Sequence, residues 1–187
     1  MGYSMGSYKL NTSGVSSGDQ GSSGYGGILR DENGRWIRGF TGHLGTGSMC
    51  IEAELLAILK GVDLIDSLRL QNTTLETDSL DAFKAYEKPD MYTKSSVWMT
   101  KISDCQKLVK KNEITLSSIT PEENKCARFL AELAMDEEED DDDDYADKAI
   151  QTFKLTGLLK LFNFSSLSIP QKSSFNMAKK EEVNKSA

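Results

Sequence analysis

Two rhythms of apolar and polar positions divide the first 135 residues. Tyr8 to about Val15 reads as a strand that breaks into the turn-rich stretch 16–24, and Tyr25–Arg30 reads as a second strand. Asn33-Gly34 tolerates the positive φ of a tight hairpin turn, so Trp36 to about Gly42 is predicted to return antiparallel. From Ser48, a candidate N-cap, the period changes: Ile51, Leu55, Ile58, Val62 and Ile65 recur at intervals of three and four, one face of a helix. Asn72–Thr77 is a short β-rich run, Asp78–Tyr86 a short helix, and Pro89-Asp90 a break. Trp98, Ile102, Cys105 and Val109 share a second helical face, and Ile114, Leu116 and Ile119 alternate as a strand. Thr120-Pro121-Glu122-Glu123 combines an N-cap, a first-turn proline and a Glu three residues after the cap. It predicts a final helix through Phe129, Leu130 and Leu133. The resulting order is that of a mixed α/β domain.

Composition changes this picture at one boundary. The 187 residues carry a formal charge of −7, but nine consecutive acids, Asp136–Asp144, supply −9. Four segments follow: a lead-in at 1–7, a domain at 8–135, the acidic run at 136–144 and a low-order tail at 145–187. The acidic run cannot be buried and is expected to be a solvated tether, with docking of a basic protein partner as the alternative. An apolar cluster from Phe153 to Phe164 with Lys154 and Lys160 inside it leaves a partner or membrane-surface helix and a weakly selected extension equally open. No apolar run approaches the ~20 residues of a membrane span. The N-terminal residues lack a charged leader followed by an apolar core, so an intracellular protein, nuclear or cytoplasmic, is expected. The near-neutral domain gives no support for broad electrostatic binding of nucleic acid, though a local groove is compatible with it. Cys50, Cys105 and Cys126 are expected to be buried apolar thiols, and His43, the only imidazole, a surface residue.

Five spaced segments carry chemistry. They are Lys9-Leu10-Asn11-Thr12-Ser13-Gly14, Gly24 to Asp31, Glu52-Ala53-Glu54-Leu55-Leu56-Ala57, Leu75-Glu76-Thr77-Asp78-Ser79, and Glu123-Asn124-Lys125 to Leu130-Ala131. In this order and on these elements they resemble the ribonuclease H domain, in the version common in plant retroelement-like, reverse-transcriptase-like proteins. The resemblance implies a five-stranded mixed sheet, the first three strands antiparallel and the last two parallel, with helices on both faces. It also implies cleavage of the RNA strand of an RNA–DNA hybrid by two Mg²⁺ ions held by four acids, a clamp on the attacking and leaving oxygens.

Carried over position by position, the acid set is incomplete. Glu54 and Asp78 match the helix and fourth-strand acids, and are the candidate catalytic and metal-binding residues. The first-strand Asp falls on Ser13, the acid of the last helix on Arg128, and the assisting His on or near Ser118. A guanidinium 4 Å from a unit charge at an effective dielectric of about 20 changes the energy by about 4 kcal/mol, and a divalent ion doubles it. Arg128 is therefore expected to replace the metal with a salt bridge to Asp78 or Glu54, leaving a catalytically impaired nucleic-acid-binding module with no tightly bound Mg²⁺. The alternatives are an active Mg²⁺-dependent ribonuclease with Asp19, Asp31 or Glu76 as substitute ligand, and an interaction protein acting through its acidic tail. Asp78 has a plainer reading as the N-cap of the following helix, and Glu54 as a solvated helix acid. Gly26-Gly27 marks a bulge or a close backbone approach.

Overall fold

The computed structural model describes residues 6–18 and 21–135, all within one of the chain's two units, Met1–Thr152. The tail readings for 136–187, and Asp19, lie outside the described residues. Five strands, β1 (Tyr8–Ser16), β2 (Ser22–Arg30), β3 (Trp36–Thr46), β4 (Thr73–Thr77) and β5 (Thr115–Ser118), form one sheet in the order β3-β2-β1-β4-β5. The β1–β2 and β2–β3 pairs are antiparallel, whereas β1–β4 and β4–β5 are parallel. The five helices are α1 (Cys50–Ser67), α2 (Leu80–Glu87), α3 (Pro89–Tyr92), α4 (Ser96–Lys111) and α5 (Lys125–Met135). The expected mixed sheet with flanking helices is therefore the one found.

The apolar stripe of α1 explains the thicker side of the core. Ile58, Val62 and Ile65 are fully buried with Leu10, Leu29 and Leu75 from the sheet and Ile102 from α4. Each such side chain contributes about 1.5–3 kcal/mol relative to exposure. The first turn of α1 is tied to α4 by a hydrogen bond from Trp98 Nε1 to Glu52 Oε1 (3.1 Å), and Lys101 lies over the Trp98 ring. On the opposite face α5 packs with small residues, Ala127, Ala131 and Ala134, all fully buried. It lies so close to β2 that a side chain at Gly26 would strike the backbone of Leu130 and Ala131. That is the close approach expected of the Gly26-Gly27 pair.

Several boundaries differ from the sequence reading, each for a local reason. Strand β2 begins at Ser22, not Tyr25, because Ser23 and Gly24 pair with Ser16 and Val15 although neither shows a strand pattern. Ser48 does not cap α1. Its hydroxyl donates to the Leu44 carbonyl (3.2 Å), and Met49 precedes the helix, its N–H donating to Glu52 Oε2 (3.2 Å). Pro89, read as a break, opens the short helix α3. The Thr120–Glu123 pairing is present, with Thr120 Oγ1 donating to Glu123 Oε2 (3.0 Å), but it closes a separate turn; α5 starts at Lys125.

Candidate functional site

Strands β1 and β4 are the parallel neighbours at which the strand order reverses, the place where an α/β sheet opens a crevice at its strand ends. Thr12 pairs with Thr77, so Ser13 and Asp78 lie one residue beyond the last matched pair. Ser13 is opposite Gly26, on the face that α5 covers, and is 1% exposed. Gly14 turns toward α1, where a side chain would collide with the Glu54 backbone nitrogen, and its own N–H donates to the Glu54 carboxyl. The cap of α2 is Ser79, whose Oγ accepts the Ala82 N–H (3.2 Å). Asp78 is thus released from the capping role that its position suggested.

Asn124, outside the set of candidate residues from the sequence, joins these parts. Its Nδ2 donates to the Thr12 carbonyl at 2.8 Å and to Asp78 Oδ1 at 2.5 Å, while its own carbonyl accepts the Arg128 N–H at 3.1 Å as α5 begins. The residue is 1% exposed, and its Oδ1 is buried without a partner. An Asn just before a helix is an ordinary N-cap signal. Nothing in the sequence distinguishes that from a side chain turned inward to the sheet.

Glu54 is 8% exposed and its Oε2 is likewise buried and unpartnered. It is a buried acid and not the solvated one of the plainer reading. Burial pushes its carboxyl up to about 8; the Gly14 N–H works against this, Asp78 adds to it, and Arg128 opposes it. Cys50, one turn earlier on α1, has its thiol raised by partial desolvation and by Glu54, lowered by Arg128 and raised again by Asp78. Glu54, Asp78, Arg128 and Cys50 therefore share one electrostatic neighbourhood.

Arg128 does not make the expected salt bridge to Asp78 or Glu54. Its ion pair is with Glu132, Nε to Oε1 at 3.2 Å, one turn along α5, and its side chain is 52% exposed. The i, i+4 spacing sets Glu132 beside Arg128 on the same face of α5. Asp78 is engaged instead by the neutral amide of Asn124.

The proposed substitute ligands are committed elsewhere. Asp31 accepts the N–H groups of Asn33 and Arg35 (2.9 and 2.8 Å) and pairs with Arg35 Nε in the β2–β3 hairpin. Glu76 points away from Thr77, accepting from Asn11 Nδ2 and pairing with Lys9, each at 2.9 Å. Ser118 pairs with Thr77 at the end of β5, beside the crevice. Of the cysteines only Cys105 is buried; Cys50 is exposed and Cys126 intermediate. His43 is half-buried, with Nε2 2.7 Å from Ser22 Oγ, which also donates to the Met135 carbonyl (2.8 Å). It secures the end of α5, away from the crevice.

This sheet order, with α1 on one face and α5 on the other, is the ribonuclease H fold. Residues 11–134 match the family model described as reverse transcriptase-like, and the chain belongs to that family. The ribonuclease H1 of the archaeon Halobacterium salinarum is similar over 70% of this chain and 98% of its own, at 19% identity and a TM-score of 0.61. The N-terminal ribonuclease H domain of a Mycobacterium tuberculosis protein matches 79% of this chain and 98% of its own, at 19% identity and TM-score 0.60. A compost-derived ribonuclease H1, solved in complex with an RNA/DNA hybrid, covers 69% of this chain and 96% of its own at 18% identity and TM-score 0.57. No curated protein sequence matches.

The residues present do not fit the pair of divalent cations that the fold implies. The crevice offers two carboxyls, Glu54 and Asp78, beside a serine and an arginine, and one Asp78 oxygen already accepts from Asn124. Burial favours the neutral form of Glu54. Among the described residues no group of three or more His, Cys, Asp or Glu is arranged to hold a metal ion.

Proposed function

We propose that this chain is a ribonuclease H-like domain that binds RNA–DNA hybrids, with hydrolysis impaired by the loss of two acids, as in a degenerate plant retroelement-type module. The observation carrying this reading is the composition of the crevice, where Glu54 and Asp78 lie within electrostatic reach of Arg128 and β1 contributes the buried Ser13. Two Mg²⁺ ions need carboxylates to offset their charge. Here one acid is replaced by a hydroxyl and another by a fixed cation. The fold's crevice supports the binding half of the proposal, as does the hybrid bound by the similar compost-derived enzyme. The domain would act inside the cell, in the nucleus or cytoplasm, with Mg²⁺ needed only for residual cleavage. The acidic run at 136–144 would remain available to a basic protein partner.

The test incubates the purified full chain with a labelled RNA–DNA hybrid in Mg²⁺ and then in Mn²⁺, following both retention and cleavage. Retention without cleavage is expected. Metal-dependent cleavage that Asp78→Asn abolishes would overturn the impairment, and absence of retention would overturn the binding. Retention of a basic protein, but not of hybrid, only by the intact tail would favour the interaction-protein reading.

A further inference from the structure

The lost acids leave more than a gap, because the group standing at one of their positions is itself a ligand for phosphate. We propose that Arg128 holds a backbone phosphate of the bound nucleic acid directly, so that hybrid binding at this crevice needs no divalent cation. This rests on the reading that the chain binds hybrid, and specifies how.

Three observations carry it. The first is that Arg128 is half exposed and its ion pair uses Nε alone, to Glu132 on the same helix. No hydrogen bond of the terminal guanidinium nitrogens is present among the described residues, and a guanidinium fork matches two phosphate oxygens. The second is position: Arg128 lies in the first turn of α5, its N–H donating to the carbonyl of Asn124, whose side chain in turn holds Asp78 and the Thr12 carbonyl at the crevice, and its charge is felt by Glu54 and Cys50. The third is that the crevice holds two polar side-chain atoms buried without partners, Glu54 Oε2 and Asn124 Oδ1, on residues 8% and 1% exposed. Buried polar atoms are seldom left unpaired, and because both are oxygens what completes them is a donor arriving with the nucleic acid beside the phosphate, a bridging water or a 2′-hydroxyl of the RNA strand.

The charge count agrees with the geometry. Four carboxyls would repel a phosphodiester unless cations stood between them. Two carboxyls, one hydroxyl and a guanidinium leave one net negative charge in place of four when both acids are ionised, and burial, which favours the neutral form of Glu54, reduces it further; the guanidinium supplies the local attraction. Glu132 is then a competitor: it holds Arg128 in the free protein and must share it with phosphate in the complex.

The experiment measures binding of the full chain to a fluorescently labelled RNA–DNA hybrid by anisotropy, in EDTA and in Mg²⁺ at matched ionic strength. The expected Kd agrees between the two within about twofold, whereas Arg128→Ala weakens binding about tenfold and lowers the slope of log K against log salt by about one. Arg128→Lys should recover the salt slope but only part of the affinity, since the charge returns without the fork. Glu132→Gln should tighten binding. Circular dichroism and thermal unfolding of each variant confirm the fold, which a half-exposed residue does not determine. Binding that requires Mg²⁺, or an Arg128→Ala variant with unchanged Kd and salt slope, overturns the inference and leaves hybrid binding standing. Absence of binding in both buffers overturns hybrid binding and the inference with it.

Discussion

Strands β1 and β4 carry two polar clusters a few residues apart, and they are finished to different degrees. At the near end, Asn11 donates to Glu76 Oε2 (2.9 Å) and accepts from Arg30 Nη1 (3.1 Å), while Lys9 pairs with the other Glu76 oxygen (2.9 Å). Every named side-chain group there has a partner. At the far end, Ser13, Glu54, Asp78, Asn124 and Arg128 meet with two buried oxygens unmatched and the cation turned along its own helix. The first cluster pins strand to strand. The second carries the kind of local cost that persists where a site is meant for something outside the chain.

The largest expected effect comes from the unfinished cluster. An acid raised from 4.5 to about 8 on folding binds more protons in the native state than in the unfolded chain between those values. Stability therefore falls as pH rises from about 4.5 and levels off above about 8, by on the order of 5 kcal/mol. Glu54→Gln keeps the shape and removes the titration. Urea unfolding in chelator at pH 5, 7 and 9 should show the wild type weakening and the variant nearly level. A wild-type profile as flat as that of the variant would place Glu54 in water and erase the contrast between the clusters.

Next comes Asn124→Ala, which strips a donor from the buried Thr12 carbonyl and from Asp78. A loss of about 2–3 kcal/mol in chemical denaturation is expected. If the loss is below about 0.5 kcal/mol, the amide is not what holds β1, β4 and α5 together. Asn11→Ala tests the finished cluster on the same scale. Its partners Glu76 and Arg30 keep access to each other or to water, so about 1–2 kcal/mol is expected. A larger loss than for Asn124→Ala would reverse the ranking of the two clusters as strand ties.

What the sequence made legible follows from what each signal measures. The stripe from Ile51 to Ile65 is a property of one helix against one sheet, so α1 and the core beneath it could be read directly. The parallel pairing of β1, β4 and β5 was reached only through the resemblance, because strand order leaves no local trace. Glu54 and Asp78 are likewise picked out only by the resemblance, which says nothing of their state: the burial of Glu54 depends on Gly14 letting α1 approach β1, a contact 40 residues away in the chain. Ser79 and Asp78 are both good caps on paper, and only the backbone at the end of β4 chooses between them. Arg128 shows the same limit. Its identity implied a cation at the site, but its partner was decided by Glu132, one turn off, and not by the acids across the crevice.

The smallest expected effect is that of Lys9→Ala, and its smallness is informative. The Lys9–Glu76 pair is short, but the lysine is 54% exposed, so water already screens the charge and the long side chain loses rotamer freedom on pairing. Removing it leaves Glu76 with the Asn11 amide, still hydrogen-bonded and near solvent. A change below about 1 kcal/mol, shrinking further in high salt, is therefore expected in thermal or urea unfolding. A loss as large as that for Asn11→Ala, insensitive to salt, would mean that the finished cluster depends on the ion pair and not on the amide. The crevice would then differ from it in charge alone, and the orphaned oxygens of Glu54 and Asn124 would lose their standing as its distinguishing mark.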